Sequence, residues 1–150
     1  MSLGRRTLGF SWPALVALAA LAAPRVVLHD LHVVEEGSVA TVLLAVVPSI
    51  CWVAAVLWRR PPRPFLTVVV IGAIYGVLLA VGHQVLWNQA FDGVAPSLGE
   101  VDPRAQEGIL RVAAVFSSLV TGVLVGVVTG AVAAALSRLL PPRSHSVCER

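Results

Sequence analysis

Long uninterrupted apolar runs alternate along this chain with short stretches that hold nearly every charged residue. Each run has ~18 residues or more, and a helix of that length covers the ~30 Å hydrocarbon layer of a bilayer. The runs have no polar face, which the surface helices of a soluble domain require. The pattern predicts an all-α, polytopic integral membrane protein, in which one domain forms a four-transmembrane-helix bundle. The predicted spans cover residues 8–28, 38–58, 65–87 and 110–137.

Prolines predict where these helices bend or begin. Pro24 lies near the outer end of span 1, where it is expected to kink or end the helix because it has no N–H and its ring strikes the preceding turn. Pro48 predicts a bend within span 2. The short, stiff Arg-Pro link at residues 59–64 predicts that spans 2 and 3 are antiparallel neighbours. Asp102 followed by Pro103 predicts the start of a helix that leads into span 4.

Composition and charge support a membrane location. Charged residues make up only 13% of the chain, against about 25% in a typical soluble domain. The basic pI of about 9.7 comes from arginines beside the predicted spans, so it indicates anchoring in a lipid bilayer rather than binding to nucleic acid. The two cysteines, Cys51 and Cys148, lie far apart and form no zinc-finger spacing.

The distribution of arginine predicts the orientation. All 11 basic residues are arginine, and eight of them lie before span 1, in the link between spans 2 and 3, or after span 4. Short Arg-rich segments stay in the cytoplasm, so we expect a multi-pass protein of a bacterial-type plasma (inner) membrane with both termini cytoplasmic. Residues 1–22 also resemble a secretory signal ending in Ala20-Leu21-Ala22, and cleavage there would leave three spans.

Small residues recur every four positions in spans 3 and 4. Such stripes let helix backbones approach closely, so that van der Waals packing holds helices together in lipid. We expect the two stripes to pack within one chain, and contact with a second copy or with another membrane subunit is the alternative. The predicted packing residues are Gly72, Gly76 and Ala80 in span 3, and Ser118, Gly122, Gly126, Gly130 and Ala134 in span 4.

A group of polar residues lies at the predicted outer boundary of the membrane. If Pro24 only kinks helix 1 and does not end it, one face of the helix carries two histidines and a glutamate. A third histidine, in span 3, lies at the same predicted depth in the membrane. Such groups can ligate zinc or copper, or relay protons, and simple hydration of boundary residues is the alternative. Haem is disfavoured because nothing reserves space for a porphyrin. The candidate metal ligands are His29, His32, Glu36 and His83, and the polar boundary also includes Arg25, Asp30 and Gln84.

No sequence motif indicates a reaction. The chain has no nucleophile elbow, no phosphate-binding glycine loop and no H-E-x-x-H motif, so we expect a protein without enzymatic activity. The interiors of spans 2 and 4 carry no charged residue, which argues against a proton-coupled transporter. A role as a channel, transporter or transport accessory is therefore expected, with a homo-oligomer or another membrane subunit as partner. The alternatives are an outer-face metal-binding or redox protein and a scaffold or subunit of a larger complex.

Overall fold

A computed structural model describes residues 7–31, 38–90, 99 and 102–141. All regular secondary structure in these ranges is helical. This confirms the prediction of an all-helical fold for the described residues, and three of the helices are long and apolar enough to cross a membrane. The helices are α1 (Trp12–Ala20), α2 (Ala23–Asp30), α3 (Val39–Arg59), α4 (Pro64–Val85), α5 (Trp87–Ala90) and α6 (Pro103–Leu139), and the three long ones are α3, α4 and α6.

The first apolar segment forms two short helices instead of one long one. Because Pro24 has no N–H, the carbonyl group of Ala20 has no donor four residues ahead, and α1 ends there. The chain tightens into a turn in which the Ala22 N–H donates to the Ala19 carbonyl oxygen at 3.1 Å. A nine-residue helix is only about 14 Å long, so α1 alone does not cover the hydrocarbon layer, and a fourth span is not confirmed.

The starts of α3 and α6 are capped by polar side chains. The Ser38 hydroxyl accepts the Thr41 N–H at 3.3 Å, and α3 then continues without interruption through Pro48. The Asp102 carboxylate accepts the Arg104 N–H at 2.9 Å, so the predicted start of the last helix is confirmed. At about 55 Å, α6 is longer than the hydrocarbon layer is thick, and its first turns carry charged residues.

Helix α4 is at the centre of the fold and contacts every other helix. The core lies between α1, α3 and α4, where Leu15, Trp52 and Ile71 are almost completely buried. The rings of Trp52 and Tyr75 meet edge to face with centroids 6.0 Å apart, so α3 and α4 are neighbours. The longest contact in the fold, however, is between α4 and α6.

Helices α3 and α6 expose broad apolar faces. On α6, Phe116 is 69% exposed and Val128 is 65% exposed, and on α3 Val39 is 77% exposed. Soluble monomers rarely expose contiguous apolar surface of this extent, whereas lipid solvates it. The surface is therefore compatible with a multi-pass membrane protein.

The helices bring polar groups together at two opposite ends of the bundle. Arg60 donates from Nη1 to the Pro141 carbonyl oxygen at 2.7 Å, so the C-terminal ends of α3 and α6 meet. At the other end, Gln84 near the end of α4 contacts Arg111 near the start of α6. Helices α4 and α6 are therefore antiparallel.

Candidate functional site

Four glycines bring the backbones of α4 and α6 into direct contact. A Cβ atom on Gly72 would lie 2.5 Å from the Gly122 carbonyl oxygen and 2.6 Å from the Gly126 Cα atom. A Cβ atom on Gly76 would lie 3.3 Å from the Gly122 Cα atom. These separations are shorter than ordinary carbon contacts, so side chains larger than hydrogen would force the helices apart. We call Gly72, Gly76, Gly122 and Gly126 the glycine crossing.

The other small residues of the two stripes flank this crossing. Ser118 is buried, and its hydroxyl donates to the Ala114 carbonyl oxygen within α6 at 2.7 Å. Ala80 is also buried, one helical turn beyond Gly76 on α4. On the other side, a Cβ atom on Gly130 would lie 3.0 Å from the Phe65 carbonyl oxygen, and Ala134 is only partly buried. The structure thus places residues of both stripes in one interface within the chain.

Trp52 joins α3 to the broken end of α1. Its indole Nε1–H donates to the Leu18 carbonyl oxygen at 2.7 Å. In a continuous helix that carbonyl group would accept the Ala22 N–H, but the turn leaves it with a long bond of 3.3 Å from the Leu21 N–H. The helix break therefore supplies the acceptor that a buried tryptophan needs. Sequence reasoning missed this contact, although Pro24 signals the break.

At one end of the bundle, Arg111 connects α4, α5 and α6. Its Nε donates to Glu107 at 2.9 Å in a salt bridge one helical turn apart, and its Nη1 donates to Gln84 Oε1 at 3.2 Å. The Gln84 amide donates back to the Arg111 carbonyl oxygen at 3.3 Å. The guanidinium also lies 4.6 Å from the ring centre of Trp87, which is only 6% exposed. We call these four residues the Arg111 cluster.

The predicted metal ligands fall mostly outside the described residues. His83 is partly buried on α4, and its position eleven residues after Gly72 puts it within about 20° of the face that packs on α6. His29 is on α2, but its side chain is not among those described, and His32 and Glu36 also lie outside the described ranges. Among the residues that are described, no group of three His, Cys, Asp or Glu side chains could hold a metal ion. The metal site stays a prediction.

The remaining boundary residues have separate environments. Gln84 belongs to the Arg111 cluster, whereas Arg25 is partly buried near the start of α2. Asp30 is the last residue of α2, and its side chain lies outside the described set. The continuous helical face that was predicted from Arg25 to Glu36 is therefore described only as far as Asp30.

At the opposite end of the bundle, the N-terminal segment is anchored to the start of α4. Gly9 has a positive φ of 71°, and its Cα lies against Pro61, where a Cβ atom would come within 2.7 Å of the proline side chain. The Thr67 hydroxyl lies 3.0 Å from the Leu8 carbonyl oxygen and 2.9 Å from that of Arg63. One hydroxyl proton therefore serves two acceptors.

An open cleft of about 630 Å³ lies beside this anchor, between the α3–α4 link and the C-terminal end of α6. Arg60, Arg63 and Arg138 line it together with apolar residues that include Phe65 and Leu140. We call it the arginine cleft. Sequence reasoning placed these arginines on one side of the membrane, but it did not predict that they share a cleft.

The chain matches no protein-family model, and no curated protein or solved structure has significant similarity to it. Its function is therefore inferred from the geometry described above.

Proposed function

We propose that this chain is a non-enzymatic, multi-pass protein of the plasma membrane that acts as an accessory subunit in transport. The observation that carries the proposal is the glycine crossing, which leaves no space between α4 and α6. On the other side of α4, Leu15, Trp52 and Ile71 fill the core. A conduit needs polar groups or water along its path. A filled interior with broad apolar outer faces therefore favours an accessory role over transport through a single chain.

The proposal includes four membrane crossings with both termini in the cytoplasm. Helices α1 and α2 with their turn cover residues 12–30, which would extend about 28 Å as a roughly collinear pair. The N-terminal segment, the α3–α4 link and the end of α6 share the end of the bundle that carries Arg60, Arg63 and Arg138. This grouping supports a cytoplasmic location for that end, since arginine-rich segments stay inside.

Reconstitution tests whether the chain conducts by itself. Purified protein would be placed in liposomes that contain dyes for K⁺, Cl⁻ and H⁺. We expect fluxes equal to those of protein-free vesicles. A flux above this background that Gly122→Leu abolishes would show that the chain is itself a conduit and would overturn the accessory role.

Crosslinking in native membranes tests for a partner. A photoreactive amino acid would replace Phe116 or Val128, which are both exposed on α6, and buried Val68 would serve as the control position. We expect at least one exposed position to give a discrete adduct with a second membrane protein, and the control to give none. Adducts with lipid alone at both exposed positions would contradict the proposal.

A second candidate function is metal binding or redox chemistry at the outer face. It is favoured by the contact between α2 and α4, because α2 carries His29 and α4 carries His83. Elemental analysis, an optical spectrum and zinc titration of the detergent-purified protein test it. We expect about one zinc ion per chain, lost in His83→Ala and kept in His145→Ala, a control in the C-terminal tail. Absence of zinc binding, or equal binding by both variants, would eliminate this candidate.

A further inference from the structure

We propose that the arginine cleft binds the phosphate group of an anionic phospholipid. A phospholipid and a soluble phosphate ester both carry a phosphate ester group, and in the phospholipid this group lies beside an apolar one. The soluble ester is the alternative ligand that the test must distinguish. The inference goes beyond an accessory role in transport and requires only that the chain is in a membrane.

The cleft lies next to a close contact between α4 and α6. At that contact, a Cβ atom on Gly130 would lie 3.0 Å from the Phe65 carbonyl oxygen. Beyond it, the last turns of α6 continue past the N-terminus of α4, and the α3–α4 link closes a third side. Arg60 holds this link in place, because it ends α3 in the left-handed conformation with φ of 51° and donates to the Pro141 carbonyl oxygen.

Among the described residues, every charged side chain that lines the cleft belongs to an arginine. Arg60 uses one N–H group on Pro141, and its other guanidinium donors are left for a ligand. In the part of the chain that the structure describes, the guanidinium groups of Arg63 and Arg138 form no ion pair or hydrogen bond. The three positively charged guanidinium groups in this cleft repel one another, and a phosphate group would reduce this repulsion through charge-assisted hydrogen bonds.

The N-terminus of α4 adds a second source of positive potential. The helix begins at Pro64 without a side-chain cap, and its first backbone hydrogen bond runs from the Thr67 N–H to the Arg63 carbonyl oxygen. The N–H groups of Phe65 and Leu66 precede that bond, so they have no acceptor within the helix. N–H groups without an acceptor in their own helix, together with the helix dipole, favour an anion at this position.

The walls of the cleft favour a lipid over a soluble phosphate compound. Phe65 is 43% exposed and Leu140 is 37% exposed, and prolines of the link and of the segment after α6 complete an apolar surface beside the arginines. The apolar parts of α3, α4 and α6 end at this level, so lipid headgroups would lie here in a membrane. Arginine-lined pockets at this depth are suited to anionic headgroups, and 630 Å³ is within the usual size of a ligand site.

Lipid binding to the purified full-length protein in detergent tests the proposal. Phosphatidylglycerol would be titrated in native mass spectrometry, with phosphatidylcholine as the lipid without net charge. We expect phosphatidylglycerol to bind more tightly, and Arg63→Gln or Arg138→Gln to weaken its binding about tenfold, the scale of one charge-assisted contact. Arg59→Gln and Arg104→Gln are matched controls outside the cleft and should leave the affinity unchanged.

Three results would overturn the proposal. Equal losses in the cleft and control variants would show that the protein attracts anionic lipid through its general charge. Unchanged binding in both cleft variants would show that the cleft is not the site. Displacement of the lipid by millimolar inorganic phosphate or glycerol phosphate would assign the cleft to a soluble phosphate compound. If a glutamine variant does not fold, Arg63→Lys and Arg138→Lys serve in its place, with a smaller expected loss because the charge is kept.

Discussion

The carbonyl oxygen of Gly122 lies 2.5 Å from the place that a Cβ atom on Gly72 would occupy. The two helices are therefore separated by the thickness of their backbones alone. In lipid, where apolar side chains gain little from leaving their solvent, such contact is a main source of stability between helices. Small substitutions at these positions should consequently have large effects.

We predict that Gly72→Ala and Gly122→Ala each lower the stability of the bundle by about 1–3 kcal/mol, the usual cost of overpacking. Thermal unfolding in detergent measures this. Gly108→Ala on α6 is the control, because a Cβ atom at Gly108 would have no neighbour within 4 Å. Alanine is also the better helix former, so this change should not destabilise the helix.

Leucine substitutions test the same interface more severely. We expect Gly126→Leu and Gly76→Leu to lower the melting temperature far more than Val128→Leu, which alters an exposed position of α6. Equal melting temperatures for the three variants would show that the glycine crossing does not hold the helices together.

We predict that Trp52→Phe lowers the stability by about 2 kcal/mol, because it removes the hydrogen bond to Leu18 and leaves space in the core. The matched change Trp58→Phe, at a position 82% exposed, should cost less than about 0.5 kcal/mol. Thermal unfolding followed by far-UV circular dichroism compares the two. Similar costs would mean that the contact between α1 and α3 contributes little.

The Arg111 cluster predicts unequal effects of its two charged members. Glu107→Gln should cost less than about 0.5 kcal/mol, because the salt bridge is exposed to solvent. Arg111→Gln should cost about 1–2 kcal/mol, because it also removes the hydrogen bond to Gln84 and the stacking on Trp87. Chemical unfolding of the two variants compares their losses of stability. A larger loss for Glu107→Gln than for Arg111→Gln would contradict this account of the cluster.

Single-cysteine labelling of intact cells tests the orientation. In a background without Cys51 and Cys148, we expect an impermeant reagent to label positions 37 and 97 and to leave positions 2, 62 and 146 unlabelled. The expectation follows from the excess of arginine on one side. Labelling at position 62 would contradict the predicted orientation.

The sequence predicts the long helices well because a bilayer leaves the backbone few alternatives. An apolar run in lipid must satisfy its own hydrogen bonds. Helices α3 and α4 agree with predicted spans 2 and 3 to within two residues at each end, and α6 contains predicted span 4 but begins seven residues before it. The sequence predicted that Pro24 would kink or end the first helix, but it placed the end of the helix too far along the chain. Pro24 acts on the acceptor four residues earlier, so the helix ends at Ala20.

Contacts between distant side chains could not be predicted in this way. Trp87 is buried beneath Arg111, a contact that the sequence did not predict. A tryptophan near the end of a span has the same local pattern whether it contacts lipid or a neighbouring helix. The arginine cleft was also not predictable, because the positions of arginines along the sequence predict their side of the membrane but not that the α3–α4 link and the end of α6 bring three of them to one cleft.

The anchor between Thr67 and Leu8 has a consequence for biosynthesis. The two residues are 59 positions apart, and the Gly9–Pro61 contact beside them is similarly long in sequence. A ribosome releases the N-terminal segment long before it has translated α4. The N-terminal segment can therefore reach its docked position only after the α3–α4 link and the start of α4 have been synthesised. A chain that stops between α3 and α4 lacks Thr67 and cannot form this anchor, so the anchor distinguishes finished from unfinished copies.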